Sequence, residues 1–372
     1  MVRPPAERDV RRPGASPTGS RARTAVDVLR RTLVALLGFF FFVLGIQLMR
    51  EVARGVGPLV TGFLGPLIQE PWHALAFGWL AAYGILSGSP VAAFSLGLYD
   101  AGLVDAETTF FMIMGSRLGA AFIVLVIGAV SLARGEPREK SLAMGVLSFL
   151  VTYSIYLPAI LFGWLLLRLG ALSWFQIGTP QVVLDYFDLV FRPFVDRIVG
   201  FLPSSLAFLV ALVTIYAGLG LFDRAFGRRE ERELRSPRMH RYLQRPAVAL
   251  FIGALVTLAS TSVSFSLGLL VPLYLHGYID RRGIVPYIMG ANITTFIDTL
   301  IAAIVLGGGV AANIVLLEMG SVTLFSILAL ASYRRYSAGI DRLYRLVFGS
   351  NAALGAFIAL LFAVPLALLL YF

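Results

Sequence analysis

Nine long apolar runs constrain this chain more than anything else in it. They fall near 32–50, 73–99, 108–131, 143–168, 204–222, 246–279, 284–306, 311–332 and 349–372. A helix needs roughly 20 predominantly apolar residues to cross the hydrocarbon core of a bilayer, and several of the runs reach that length. Charge is correspondingly scarce: 14% of the 372 residues are charged and 58% are hydrophobic, where a soluble domain carries roughly 25% charged residues. The runs are continuous and do not alternate, which argues against a transmembrane β-barrel. The expected fold is an all-α polytopic membrane protein embedded in a lipid bilayer.

Other chemistries are excluded by what is missing. The chain has no cysteine, so it has no disulfide framework, thiolate metal site or cysteine nucleophile. His73, His240 and His276 are far apart and form no metal-ligand spacing. No phosphate-binding glycine loop followed by Lys, nucleophile elbow or zinc-protease His pair is found. An enzyme is not expected, and neither is a cofactor. The net charge of +10 comes from arginines gathered between apolar runs, where they anchor loops on the cytoplasmic side; no nucleic-acid role is expected.

Those arginines also set an expected orientation. Residues 1–31 are rich in Arg, Pro and Gly and are expected to form a basic, disordered cytoplasmic tail. Further basic clusters occur at 134–140, 224–245, 281–282 and 334–345, while 55–116 contains no Lys or Arg. The run 73–99 therefore has two external flanks. The run 246–279, between Arg245 and Arg281–Arg282, has two internal ones. Each is expected to be a re-entrant hairpin, the two entering from opposite faces. The N-terminus is placed in the cytoplasm and the C-terminus outside.

Laying 86–122 over 261–297 exposes an internal repeat at a constant offset of 175 residues. Ser87 meets Ser262, Ser89 meets Ser264, Gly102 meets Gly277 and Asp105 meets Asp280. Ile113, Met114 and Gly115 meet Ile288, Met289 and Gly290. Charge alone gives the two copies opposite orientations, so the fold is expected to be two inverted-topology repeats with broken helices, plus an extra C-terminal span. Such repeats put discontinuous helices at the bilayer midplane, and irregular backbone survives there only against protein or a watery cavity.

Polar residues interrupt the apolar runs at matching places. In "STSVSFS" (260–266) a serine recurs at every second position, a spacing that gathers hydroxyls on one side only where the segment is extended. Small residues for close helix packing would give the same composition. Its counterpart "SGSP" (87–90) holds Gly88 and Pro90, which both break helices. In "GANITT" (290–295), Asn292, Thr294 and Thr295 offer hard oxygens for a cation, donors for an oxyanion, or bonds between helices. Arg117, opposite Asn292 in the repeat, is a fixed charge inside a span. It serves an anion, pairs with Asp298 or Glu318, or snorkels to an interface. Asp298 and Glu318 are the only acids from 283 to 333, and each is a candidate cation ligand, proton site or partner for Arg117.

With these residues in view, the chain resembles the type II class of Na⁺/phosphate cotransporters and their bacterial relatives. "PYIMGANITT" (286–295) looks like the second of that family's two G-A-N-I-G-T blocks, and Thr261–Ser264 stands where a Q-S-S-S motif belongs. The first-repeat equivalents are Leu86–Ser89 and Gly115–Gly119. Departures are concentrated there. Both glutamine positions are lost, to Leu86 and Thr261; the first asparagine is Arg117; and Ala120 and Ala121 replace a threonine pair.

The resemblance implies a secondary active transporter of inorganic phosphate, with Na⁺ as coupling ion, working by alternating access in a plasma membrane of bacterial type. A homodimer is compatible with it. It implies substrate binding by Ser87, Gly88, Ser89, Arg117, Ser262 and Ser264, and cation binding by Asn292, Thr294, Thr295 and Asp298. Alternatives are another small anion with altered or no Na⁺ coupling, and a transport-inactive regulatory protein of the same fold. The expected organisation is the tail (1–31), repeat 1 (32–169), an external connecting segment (170–203), repeat 2 (204–335, with a basic loop at 223–245), and a linker with a final span (336–372).

Overall fold

Two aspartates 175 residues apart start two helices in the same way. Asp105 accepts the backbone N–H of Thr108 at 2.8 Å, and Asp280 accepts that of Gly283 at 3.0 Å. Each is a side-chain N-cap that satisfies one of the free donors of a first helical turn. The helices they begin are α5 (Ala106–Ala120) and α14 (Arg281–Thr294). The same spacing recurs in α3 (Pro71–Ile85) and α11 (Pro246–Ser260), each with proline at its start, where the missing N–H costs nothing.

The protein is seen here in a computed structural model that describes residues 17–53, 55–173, 177–234, 237–277 and 279–371. The first half continues with α1 (Pro17–Ala53), α2 (Gly57–Leu64), α4 (Ser89–Asp100), α6 (Phe122–Ala133), α7 (Arg138–Arg168) and α8 (Gln181–Phe201). The second holds α9 (Ser204–Leu234), α10 (Pro237–Leu243), α12 (Val263–Gly268), α13 (Leu270–Leu275), α15 (Phe296–Val305), α16 (Val310–Ala331), α17 (Tyr333–Phe348) and α18 (Asn351–Tyr371). Among the described residues, seven stretches are long and apolar enough to cross a membrane: Val26–Ala53, Ala106–Ala133, Arg138–Arg168, Ser204–Phe222, Gly283–Val305, Val310–Ala331 and Asn351–Tyr371. The chain is an all-α integral membrane protein.

The two remaining apolar runs are each divided. The run 73–99 becomes α3 and α4, and 246–279 becomes α11, α12 and α13. Both breaks sit at the C-cap of the longer helix, at Leu86 (φ 59°) and Thr261 (φ 52°). Left-handed backbone at a leucine or a β-branched threonine is uncommon and persists only where its surroundings enforce it.

Glycine decides the tightest packing. α3 lies against α5, and α11 against α14. A Cβ on Gly115 would overlap the Leu75 carbonyl, and one on Gly290 would overlap the Leu250 carbonyl. These contacts are again 175 residues apart, so the repeat governs how the helix backbones meet as well as where they begin. α1 packs along α9, joining the two halves, while α7 lies between α6 and α16.

One stretch differs from expectation and two gain detail. The expected disordered tail is helical from Pro17 onward, because no breaker separates 18–31 from the apolar run and the helix propagates back through it; residues 1–16 lie outside the described residues. The connecting segment 170–203 contains α8 and a two-residue strand β1 (Ile177–Gly178), paired antiparallel with β2 (Gly308–Gly309). That ladder needs the positive φ of Gly307, Gly308 and Gly309 (110°, 71° and 59°). The linker from 336 is part of α17, an amphipathic helix whose Ile340, Tyr344 and Val347 are buried while Leu343 and Leu346 are exposed.

Candidate functional site

Arg117 sits near the end of α5, 2% exposed, among groups from both halves of the chain. One terminal nitrogen donates to Ser89 Oγ at 3.4 Å and to Thr295 Oγ1 at 3.2 Å. The other donates to Asp298 Oδ1 at 3.2 Å and to Thr299 Oγ1. The Phe296 ring lies 5.2 Å from the guanidinium carbon, within cation–π reach. Asp298 also accepts from the Thr299 hydroxyl at 2.9 Å.

Local sequence explains this convergence. α14 ends at Thr294 and α15 begins at Phe296, with Thr295 as the cap between them. Thr295 and Thr299 are four residues apart and Asp298 lies between, so all three share one face of the helix. Ser89 is the first residue of α4, just past the break at 86–88. The missing Cβ of Gly88 leaves room for the Ser116 carbonyl, which brings that break close beside Arg117.

The pairing is incomplete. Arg117 Nε and Asp298 Oδ2 are buried without a hydrogen-bond partner, and so are both carboxylate oxygens of Glu318 on α16. Glu318 is 0% exposed and within electrostatic reach of Arg117. Tyr156 of α7 feels Arg117, Glu318 and Asp298 together, and its ring stacks on Phe296 at 6.1 Å between centroids.

The second polar centre is where the two breaks meet. The Ser264 hydroxyl donates to the Leu86 carbonyl at 3.2 Å, bridging the interruption of the first half to that of the second. Ser262 caps α12, accepting from Phe265 N–H at 3.1 Å. Ser87 is half-buried in the first break, its N–H donating to the Ala82 carbonyl at 3.2 Å.

Of the residues singled out in the sequence, Ser89, Arg117, Thr295 and Asp298 thus form one cluster. Ser87, Gly88, Ser262 and Ser264 lie at the breaks. Asn292 and Thr294 turn elsewhere. The Asn292 side-chain amide donates to Thr152 Oγ1 at 3.1 Å and the backbone carbonyl of Asn292 accepts from the Tyr156 hydroxyl at 2.9 Å, while Thr294 Oγ1 donates to the Ala254 carbonyl of α11 at 2.9 Å. Sequence reasoning missed Thr299, Phe296, Tyr156 and Thr152. The turn spacing from Thr295 to Thr299 was a usable signal; Tyr156, in an aromatic-rich span, gave none.

What the arrangement can do follows from its charges. A guanidinium is a planar, permanently charged donor suited to an oxyanion, and here hydroxyls and one carboxylate occupy its two terminal nitrogens while Nε is left over. An anion arriving at Arg117 would compete with Asp298 for the same N–H groups.

Comparison with known proteins agrees in kind. Residues 40–184 match a family model described as Na⁺/Pi-cotransporter. The match covers less than half of the chain and falls on the first half, the copy whose motifs depart more from that family. No curated protein and no solved structure matches the chain.

Proposed function

We propose, from the premise that residues 40–184 belong to the Na⁺/Pi-cotransporter family, that this chain is a secondary transporter of inorganic phosphate. α3–α4 and α11–α13 are read as re-entrant hairpins of two inverted repeats, entering from opposite faces and meeting at the Ser264–Leu86 contact. The site lies near the bilayer midplane, as in other inverted-repeat transporters. Alternating access would open it to one side and then the other. The distribution of arginines supports a cytoplasmic N-terminus.

One observation carries this reading. Arg117 of the first half is held by Thr295, Asp298 and Thr299 of the second, beside Ser89 at a helix break. A buried fixed cation between two repeats, ringed by hydroxyls, suits a tetrahedral oxyanion. Phosphate would take the donors that Asp298 now holds, with Ser87, Ser89, Ser262 and Ser264 completing its shell.

Sodium coupling is where this chain departs from its family. Of the four residues expected to bind a cation, Asn292 and Thr294 join helices, and Thr295 and Asp298 accept from Arg117. The guanidinium stands where a cation would, so coupling to Na⁺ is reduced or replaced. A second reading, transport of a different anion, is favoured by the loss of both glutamine positions, at Leu86 and Thr261.

Uptake of phosphate into proteoliposomes, with an inward Na⁺ gradient and then with K⁺ in place of Na⁺, tests the proposal. Phosphate uptake in either salt supports it. No phosphate uptake, with uptake of another oxyanion, moves the assignment to the second reading. Transport left intact by Ser262→Ala with Ser264→Ala would remove those serines from the site.

A further inference from the structure

The charges buried around Arg117 do not balance. Arg117 supplies one positive charge; Asp298 and Glu318 supply up to two negative ones, at 3% and 0% exposure. Asp298 is the acid that pairs with Arg117, at 3.2 Å. Glu318 has no hydrogen-bond partner at either oxygen. A buried carboxylate without a donor is among the costliest groups a protein can hold, and it takes a proton instead. In a membrane span such a residue marks a function more often than a packing choice.

Among the described residues, Arg117 is the charge that acts on Glu318; the other charges on the elements packed against α16, Asp100 of α4, Glu107 of α5, Arg138, Glu139, Lys140 and Arg168 of α7, Arg281 of α14 and those of α17, do not figure among its electrostatic neighbours. α5 brings Arg117, α15 brings Asp298 and α7 brings Tyr156, the three ionisable groups of this cluster besides Glu318. α4 and α14 bring the uncharged Ser89 and Asn292. The β1–β2 ladder packs on α16 and holds only Ile and Gly. α17 follows from the other end of α16, well over two helical turns beyond Glu318.

We propose that Glu318 is a proton-binding site, neutral while Arg117 is paired with Asp298, and the second docking position for Arg117 once that pair opens. When Arg117 leaves Asp298 for Glu318, the Glu318 proton passes to water in the opened cavity and the freed Asp298 carboxylate stays ionised, hydrated there. One proton is thereby bound or released for each exchange of partners. Its consequence for transport rests on the phosphate reading: an anion that displaces Asp298 from Arg117 opens the pair, which lets Arg117 reach Glu318 and links phosphate movement to proton movement.

Infrared difference spectroscopy of the purified full chain tests the proton site without any phosphate. The wild type is expected to show the carbonyl stretch of a neutral carboxylic acid near neutral pH, and Glu318→Gln to lose it. Asp298→Asn is expected to lose the same band, because Arg117 then takes Glu318 as its only acid and strips its proton. Arg117→Met is expected to enlarge the band, since both acids become neutral. A wild type without the band, or a band that survives Glu318→Gln, overturns the site; a band that survives Asp298→Asn overturns the exchange. In proteoliposomes a trapped pH dye should report proton movement with phosphate uptake, lost in Glu318→Gln. Absence of phosphate uptake in the wild type would count against the substrate alone, because the infrared bands decide the proton site independently.

Discussion

Arg117 and Asp298 are 181 residues apart in sequence and 3.2 Å apart in space, and each keeps one polar atom, Nε and Oδ2, without a partner. The pair crosses from the first half of the chain to the second, so it holds the two together only in this arrangement of the helices. Removing one partner of a buried ion pair typically costs about 3–5 kcal/mol, because the survivor is left as an uncompensated charge. Here Glu318 stands ready as a substitute partner. Asp298→Asn alone is therefore expected to be mild, and Glu318→Gln alone nearly neutral. The two together should cost about 3–5 kcal/mol, the full penalty of a bare guanidinium. Unfolding of the four proteins in the same detergent gives the coupling directly. Additive losses would mean that Glu318 does not stand in for Asp298.

Sodium dependence should respond to Arg117. The guanidinium occupies the position that Asn292 holds in the other repeat, and it ties up Thr295 and Asp298. Arg117→Asn frees both oxygens and removes a positive charge from the place a cation would enter. Phosphate uptake by this variant is expected to depend more steeply on Na⁺ than uptake by the wild type. Initial rates across a series of Na⁺ concentrations, with K⁺ keeping ionic strength constant, give the comparison. An unchanged dependence would show that Arg117 does not replace a cation.

Much of this was legible before any coordinates. Long apolar runs report helices whatever their tertiary setting, and the 175-residue offset matched both helix breaks and paired Asp105 with Asp280, although that these two aspartates cap helices came from the structure. The partner of Arg117 was not legible. Asp298 and Glu318 were equal candidates in the sequence, and choosing between them needed the turn at Thr295 that aims Asp298 inward. The roles of Asn292 and Thr294 were obscured for the same reason. Their hydroxyl and amide suit an ion as well as a neighbouring helix, and only packing against Thr152 and Ala254 separates the two. Helical structure in 17–31 and 333–348 was hidden by charge, which marks solvated helices as readily as loops.

Glycine contacts between helices predict a difference between two substitutions of identical chemistry. A Cβ at Gly290 overlaps the Leu250 carbonyl, whereas one at Gly320 meets nothing within 4 Å. Gly290→Ala must push α11 and α14 apart and is expected to cost about 1–3 kcal/mol, the usual range for overpacking. Gly320→Ala, within α16, restricts only the unfolded chain and is expected to be neutral or to stabilise by about 0.4–1 kcal/mol. Thermal unfolding of both variants in one detergent checks the pair. A destabilised Gly320→Ala beside an unaffected Gly290→Ala would contradict the packing described for α11 and α14.

Opposite orientation of the two halves is open to a direct test, because the chain has no cysteine of its own. Ala101 follows α4 and His276 follows α13, at equivalent places 175 residues apart. Ala101 is partly exposed and His276 is exposed. By the charge rule, Arg-free flanks predict the first outside, and the Arg281 side predicts the second inside. A membrane-impermeant maleimide added to intact cells is therefore expected to label Ala101→Cys and to spare His276→Cys until the membrane is opened. The distinction rests on the charge asymmetry of the loops, which acts when the spans insert. It does not depend on what the protein transports. Labelling of both sites from one side would mean the repeats run parallel, and the two breaks would then enter from the same face. Such an arrangement would leave alternating access without the symmetry that the proposed mechanism uses.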